Sequence, residues 1–193
     1  MNTRKALVLS MILLGGLALG GCAVNIAGPS QSHHGEPNQE NQSSKFSNSD
    51  VMFAQMMIPH HQQAVDMGTL AETRASDPEV QALAAMIKSE QAPEIEQMKK
   101  WLASSNAGEH MGHDMGMDGM LSADDFAALE SATGTEFDRL FVAGMIAHHE
   151  GAVEMAKMVL NSENAEAKAL GEAIVDSQTS QITSLKAILK RLG

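Results

Sequence analysis

Two adjacent histidine pairs, each flanked by methionine, are the residues of this sequence best suited to chemistry. His60 and His61 lie in the stretch MIPHHQQAVDMG, which begins at Met57, and the similar stretch MIAHHEGAVEMA begins 88 positions later at Met145. Imidazole nitrogen and thioether sulfur together suit Cu(I), whereas Cu(II) or zinc is favoured as imidazole and carboxylate take over. The pattern therefore predicts a metal site, with copper as the first choice and zinc or silver as alternatives.

The candidate ligands lie on or beside the apolar stripe of one helix in each copy. Spacings of three, four and seven residues place side chains on a shared helix face. Methionine alone is a common core filler, so the histidines carry this prediction. The acids at positions 66 and 154 are interpreted as part of a solvated face. The candidate ligands are Met56, Met57, His60, His61, Met67, Met145, His148, His149 and Met155.

A second group of ligand types lies in the glycine-rich segment between the two copies. Glycine at this density opposes a regular helix, and so many methionines are unusual for a solvated loop. Such a segment can wrap a metal ion by folding around it. The candidate ligands here are His110, Met111, His113, Met115, Met117 and Met120, with Asp114 and Asp118 between them.

The turn positions predict which polar residues share a layer with the histidines. Counting back from each turn places His60 beside Gln91 and His148 beside Gln178. Without a metal, each glutamine amide would form a hydrogen bond with a histidine nitrogen of its own hairpin and so set the helix register. Such bonds are expected because an unsatisfied buried polar group costs about 1–3 kcal/mol. This metal-free layer is the alternative to a metal site.

The elements that must position these residues form an internal repeat. Apolar and capping residues upstream of the histidines match at the same offset of 88, and those downstream match at 87, so one residue is lost in a turn. Each copy reads as a helical hairpin, and two amphipathic hairpins that cover each other make an all-α four-helix bundle. The predicted helices are 47–74, 78–103, a short one at 122–131, 135–161 with Thr135 and Asp138 at its start, and 164–192.

The segments before the bundle follow one another in the order found at the N-terminus of a bacterial lipoprotein. A basic start, an apolar run and the sequence LGGC predict a signal peptide over residues 1–21 and lipidation at Cys22, the only cysteine. Residues 22–46 are polar and predict a flexible tether, and the domain then covers residues 47–193, with hairpins at 47–103 and 135–193 and a linker at 104–134. The protein is therefore expected outside the cytoplasm, anchored to the cell envelope by lipid.

The charge balance excludes some classes of partner. Without residues 1–21 the chain keeps 24 acidic and 11 basic residues, because the removed segment carries Arg4 and Lys5 and no acid, so the net charge is −13. Such a surface disfavours nucleic acid and anionic lipid headgroups and concentrates cations. Metal ions are the expected partners, with copper export or delivery proteins of the envelope as further candidates and the oligomeric state open.

The sequence resembles a known family at these same motifs. The two HH stretches, the HMGHDMGMDGM segment and the run containing FDRLF are similar to the domain of unknown function family DUF305 over about residues 47–192. The resemblance implies a ferritin-like helical bundle, lipid-anchored or secreted. It also implies that His60, His61, His148, His149 and their neighbouring methionines bind copper, as in relatives associated with copper tolerance.

These observations bear on three possible functions. The favoured one is a copper-binding protein that buffers, sequesters or delivers the ion. A metal-free structural or partner-binding lipoprotein is the second. A ferritin-like di-metal oxidase is disfavoured because it needs Glu-x-x-His motifs, and positions 57, 58, 145 and 146 hold methionine or isoleucine instead. No catalytic residues are predicted.

Overall fold

In a computed structural model that describes residues 45–109 and 117–193, the described chain is all-helical. The hairpin of α1 and α2 packs on the hairpin of α4 and α5, mainly through α1 and α4, and the short α3 lies against α4. The predicted all-α bundle of two repeated hairpins is confirmed. The helices are α1 (Asn48–Arg74), α2 (Pro78–Ser104), α3 (Ala123–Ser131), α4 (Gly134–Ala156) and α5 (Ala165–Leu192).

Local sequence explains where most of the helices begin. The Ser47 side chain accepts the backbone N–H of Asp50, and the Asp50 carboxylate accepts the backbone N–H of Ser47 at 2.8 Å, which is a capping box. Asp77 caps α2 ahead of Pro78, whose missing N–H costs nothing at the first helical position. Asn164 caps α5 in the same way. These predicted starts are confirmed.

The predicted bounds of the third long helix are wrong at both ends. α4 ends at Ala156 instead of Asn161, because the chain tightens into i to i+3 hydrogen bonds that carry Val159 into the core. At the other end the cap residue is Thr133, which makes no side-chain capping bond. Asp138 does not cap its own helix, because its carboxylate accepts hydrogen bonds from the other hairpin.

Asp138 ties the start of α4 to the turn between α1 and α2. It is buried and accepts the Ser76 hydroxyl at 2.5 Å, the Ser76 backbone N–H at 3.1 Å and the Asp77 backbone N–H at 3.0 Å. Three hydrogen bonds to one carboxylate satisfy donors that the turn leaves open. The repeat-related residue Asp50 makes no such bond between hairpins in the described part of the chain.

The core is divided into two apolar clusters along the bundle. One contains Phe53 and Met57 of α1 with Met155 of α4, and the other contains Met67 of α1 with Phe141 of α4. Residues early in α1 thus meet residues late in α4, so the two helices are antiparallel. The polar layer lies between the two clusters.

The domain begins slightly earlier than the sequence predicts. Phe46, assigned to the tether, is buried and stacks on Trp101 with ring centroids 5.0 Å apart. Trp101 is therefore a core residue. The predicted signal peptide, Cys22 and nearly all of the predicted tether lie outside the described residues. Within residues 45–109 and 117–193 no helix has the length and apolar character needed to cross a bilayer.

We expect Asp138→Asn to destabilise the domain by about 1–3 kcal/mol, because a neutral amide is a weaker acceptor and brings its own donors into the turn. Urea unfolding followed by circular dichroism measures this. The control is Asp176→Asn on the exposed face of α5, which should change stability by less than about 0.5 kcal/mol. Equal effects of the two substitutions would contradict the assigned role.

Candidate metal centre

The four histidines of the two HH motifs meet inside the bundle. His60, His61, His148 and His149 are each 0% exposed. The rings of His60 and His148 lie face to face, with centroids 3.8 Å apart and planes inclined by 37°. These two residues are equivalent in the repeat, so the contact places a local two-fold axis at the crossing of α1 and α4. The histidines of the two halves therefore come together at this crossing.

The outer histidine of each pair is held by a polar side chain of its own hairpin. His61 Nε2 lies 2.7 Å from Glu94 Oε2, and His149 Nε2 lies 2.6 Å from Gln181 Oε1. The Gln181 amide donates in turn to Glu90 Oε2 at 2.6 Å, which fixes which end of the amide faces the imidazole. Since both partners accept, Nε2 carries the proton in each ring and Nδ1 keeps its lone pair.

Five imidazole nitrogens are left without partners in the part of the chain that the structure describes. They are both nitrogens of His60 and the Nδ1 atoms of His61, His148 and His149. The Asp118 backbone is near enough to His60 to oppose part of the fall in its pKa, without the geometry of a full hydrogen bond. His148 Nε2 donates to the backbone carbonyl of His60 at 2.9 Å. A neutral His60 keeps a proton on one of its two nitrogens, so at most four of the five can offer a lone pair. On His61, His148 and His149 the opposite nitrogen makes a hydrogen bond that orients the ring, as in metal-ligating histidines.

The glutamines expected beside the histidines form no hydrogen bond with them in the described chain. Gln91 and Gln178 are buried, each 2% exposed, but neither is hydrogen-bonded to an imidazole of the described chain. The partners are Glu94 and Gln181, three residues further along each helix and 87 positions apart. These two positions match at the downstream repeat offset of 87, and this match was the sequence signal that could have identified them as the histidine partners.

Burial favours the neutral form of three of these four imidazoles. Loss of hydration lowers the pKa of His60 to about 3 and that of His149 to about 4, and burial also holds the pKa of His148 well below its ordinary value. Neighbouring histidines lower the pKa values further, because one charged ring disfavours another. Neutral imidazole is the metal-binding form, so these rings need lose no proton to ligate an ion.

Methionines occur on both sides of the histidine layer. Met57 and Met155 belong to one apolar cluster, and Met67 and Met145 belong to the other. All four are buried, whereas Met56, Met117 and Met120 are half-buried. Thioether groups are therefore present above and below the imidazoles, although this spacing alone also suits core packing.

The end of the linker crosses the bundle at the level of the histidines. Gln63 of α1 donates to the carbonyl of Leu121 at 3.1 Å and accepts its N–H at 2.8 Å. At the repeat-related position α4 has Gly151, where an added Cβ would lie 1.9 Å from the Asp118 carbonyl oxygen. Gly119 meets the same helix with a positive φ of 87°. Residues 117–121, the strap, therefore close the α1–α4 side of the layer.

Several other candidate residues lie outside the described chain or on its surface. His110, Met111, His113 and Met115 lie outside the described residues, and the acids at positions 66 and 154 are exposed, as expected for a solvated face. Across residues 45–109 and 117–193, no three His, Cys, Asp or Glu side chains form a group that could hold one ion. A complete ligand set built from these residues would thus need sulfur or a backbone oxygen.

Comparison with known proteins identifies the family. The sequence model of the domain of unknown function DUF305 matches residues 50–189, which is most of the chain. This chain belongs to the DUF305 family. The predicted resemblance is thereby confirmed, and both HH motifs with their partners Glu94 and Gln181 lie inside the matched region. No match was found among curated proteins.

Several solved structures resemble this DUF305 chain. A DUF305 protein from Streptomyces coelicolor is 31% identical, with a TM-score of 0.72 over 75% of this chain and 94% of that one. A DUF305 fragment from Deinococcus radiodurans is 29% identical, with a TM-score of 0.70 over 76% and 98%. The protein CopM in its Cu(I)-bound form is 35% identical, with a TM-score of 0.62 over 74% and 96%, and CopM is also known in Cu(II)-bound and Ag-bound forms.

We expect the metal-free DUF305 domain to lose stability as the pH falls from 7 to 5.5. The folded pKa values of His60, His148 and His149 lie below 6.5, so the unfolded chain binds more protons below about that pH. Each such histidine lowers the free energy of unfolding by up to about 1.4 kcal/mol for each unit that the pH falls. The measurement is urea unfolding in the presence of a chelator.

The matched variant for this experiment is His60→Leu with His148→Leu, which removes two of the three groups. Its free energy of unfolding should depend less on pH over the same range. A wild-type domain equally stable at pH 7 and pH 5.5 would contradict the argument.

Proposed function

We propose that this protein binds copper in the bacterial cell envelope and buffers, sequesters or delivers the ion through histidine and methionine ligands. One observation carries the proposal: five buried imidazole nitrogens of the two HH motifs have no partner among the described residues. Leaving a buried polar atom unsatisfied costs about 1–3 kcal/mol, and a ligated ion would offset that cost.

The choice of copper rests on the donor set. Neutral imidazoles lie between two clusters that contain methionine sulfur, and this combination suits Cu(I), with Ag(I) as a chemically similar soft ion. Crystal forms of CopM with Cu(I), Cu(II) and Ag support the same chemistry in a relative. His60, His61, His148 and His149 would hold the ion with the buried methionines. The linker residues His110, Met111, His113 and Met115 would add a further binding segment.

We propose a binding role and no catalytic one. A di-metal oxidase of the ferritin-like kind needs glutamate ligands from several helices. In this chain the carboxylate next to His61 contacts Nε2, the nitrogen that carries the proton, and the equivalent position in the other half is the amide of Gln181. Glu94 and Gln181 orient the imidazoles through that nitrogen, which is the usual role of a second layer of residues around a metal.

The location outside the cytoplasm and the lipid anchor are part of the proposal. They rest on the basic, apolar and small residues that precede Cys22. After cleavage the chain would have no thiol, so histidine and methionine would be its soft and nitrogen ligands. Copper export or delivery proteins of the envelope would then be the partners that exchange the ion.

We expect residues 45–193 to bind at least one Cu(I) ion with submicromolar affinity, and replacement of His61 and His149 by leucine to weaken that binding at least about tenfold, because two oriented nitrogens are lost. Competition with a coloured Cu(I) chelator under anaerobic conditions measures both. The comparison variant changes His110, Met111, His113 and Met115 to serine and should weaken binding less.

Affinity no tighter than micromolar in the unmodified domain would overturn the copper proposal and leave the metal-free bundle. A larger loss in the linker variant than in the histidine variant would move the main site to the linker.

We expect Cys22→Ala to release the full-length protein from the membrane fraction of the producing bacterium, because the thiol is the group that a lipoprotein acylates. Fractionation followed by immunoblotting measures the change. Ala23→Ser is the control and should stay with the membranes. Continued sedimentation of the cysteine variant with membranes would argue against a lipid anchor.

A further inference from the structure

The side of the bundle opposite the strap contains an open cleft between α2 and α5. The cleft has a volume of about 630 Å³. Its α2 wall includes Glu90 and Glu94, and its α5 wall includes Glu166, Ala169 and Ala173. The alanines lie one helical turn apart, so their short side chains leave a gap where α2 and α5 approach each other at few points.

Both halves of the histidine layer are connected to this cleft. Glu94 lines it with a side chain 19% exposed and contacts the fully buried His61. Glu90 lines it too, and Gln181 links Glu90 to the fully buried His149. Each outer histidine, whose Nδ1 has no partner in the described chain, is thus one or two hydrogen bonds from a carboxylate that faces the cleft.

The charge of the cleft favours cations. Neither Glu90 nor Glu94 pairs with a lysine or arginine within residues 45–109 and 117–193, and Glu166 pairs with Lys45 at the rim. Carboxylates lining a cleft with low-dielectric walls focus the field and raise the local concentration of cations. The α1–α4 side is closed by the strap, and helices within each hairpin pack closely.

We propose that the α2–α5 cleft is the path by which metal cations reach the buried histidines, with Glu90 and Glu94 as the carboxylates they meet on the way. This inference rests on the proposed copper function. It adds that the rate of loading is set by a surface that contributes no ligand to the final site. Filling the cleft should therefore slow loading without changing the equilibrium affinity.

The test compares two tryptophan substitutions on α5. Ala169→Trp fills the cleft, whereas Ala187→Trp lies in an apolar groove further along the same helix. Cu(I) is supplied to residues 45–193 as its labile acetonitrile complex, and unbound ion is trapped with a coloured chelator after set times. We expect loading by Ala169→Trp to slow at least about tenfold, with Ala187→Trp unchanged and the affinity of both unaltered.

A second pair of variants tests the charge without filling the space. Glu166→Lys places a cation at the rim, and Glu172→Lys makes the same change outside the cleft, on another exposed α5 glutamate with a lysine partner. Glu166→Lys should slow loading more, and the difference should shrink in high salt because ions screen exposed charges. This pair decides the question if Ala169→Trp fails to fold.

The outcomes separate this inference from the copper proposal. Absence of Cu(I) binding in the unmodified domain removes the proposed function. Tight binding with equal loading rates in Ala169→Trp and Ala187→Trp, or in Glu166→Lys and Glu172→Lys, overturns the access path alone. Slower loading accompanied by an equal loss of affinity in Ala169→Trp would overturn it too, by making the cleft part of the site.

Discussion

The crossing of α1 and α4, where the rings of His60 and His148 are in close contact, is the feature on which this structure depends. It brings four imidazoles to the centre of a bundle whose other core residues are mostly apolar. Hydration is lost there, which lowers the pKa values of His60, His148 and His149 and leaves every ring nitrogen in need of a partner. Glu94, Gln181 and one backbone carbonyl supply three partners, and five nitrogens remain. A bound metal ion would resolve this imbalance.

The two repeats share a core and differ where the bundle meets other parts of the chain. Gln63 binds the backbone of the strap, whereas the equivalent Gly151 lets the strap approach the helix. The repeats also differ on the side of the cleft, where Glu94 of the first hairpin corresponds to Gln181 of the second. An approximately symmetric set of histidines therefore lies between a covered side and an acidic side. This arrangement gives the two outer histidines different partners, a carboxylate and an amide.

These features support the proposed copper-binding role, in which binding, selectivity and access would depend on different groups of residues. Burial favours the neutral, metal-binding form of His60, His148 and His149, and hydrogen bonds through Nε2 orient His61 and His149 with Nδ1 open. Methionine sulfur is available in the clusters on either side, which favours soft ions. The acidic α2–α5 cleft would attract cations toward this layer.

The sequence by itself determined the repeat, the capped helix starts and the burial of the histidine pairs, because apolar periodicity and capping act locally along the chain. Only the tertiary structure decided that Glu94 and Gln181, instead of Gln91 and Gln178, meet the imidazoles. Residues three apart share a helix face, and the rotation and crossing of the helices select between them. Asp138 likewise has a capping position in sequence, but its partners lie 61 and 62 residues away in the other hairpin.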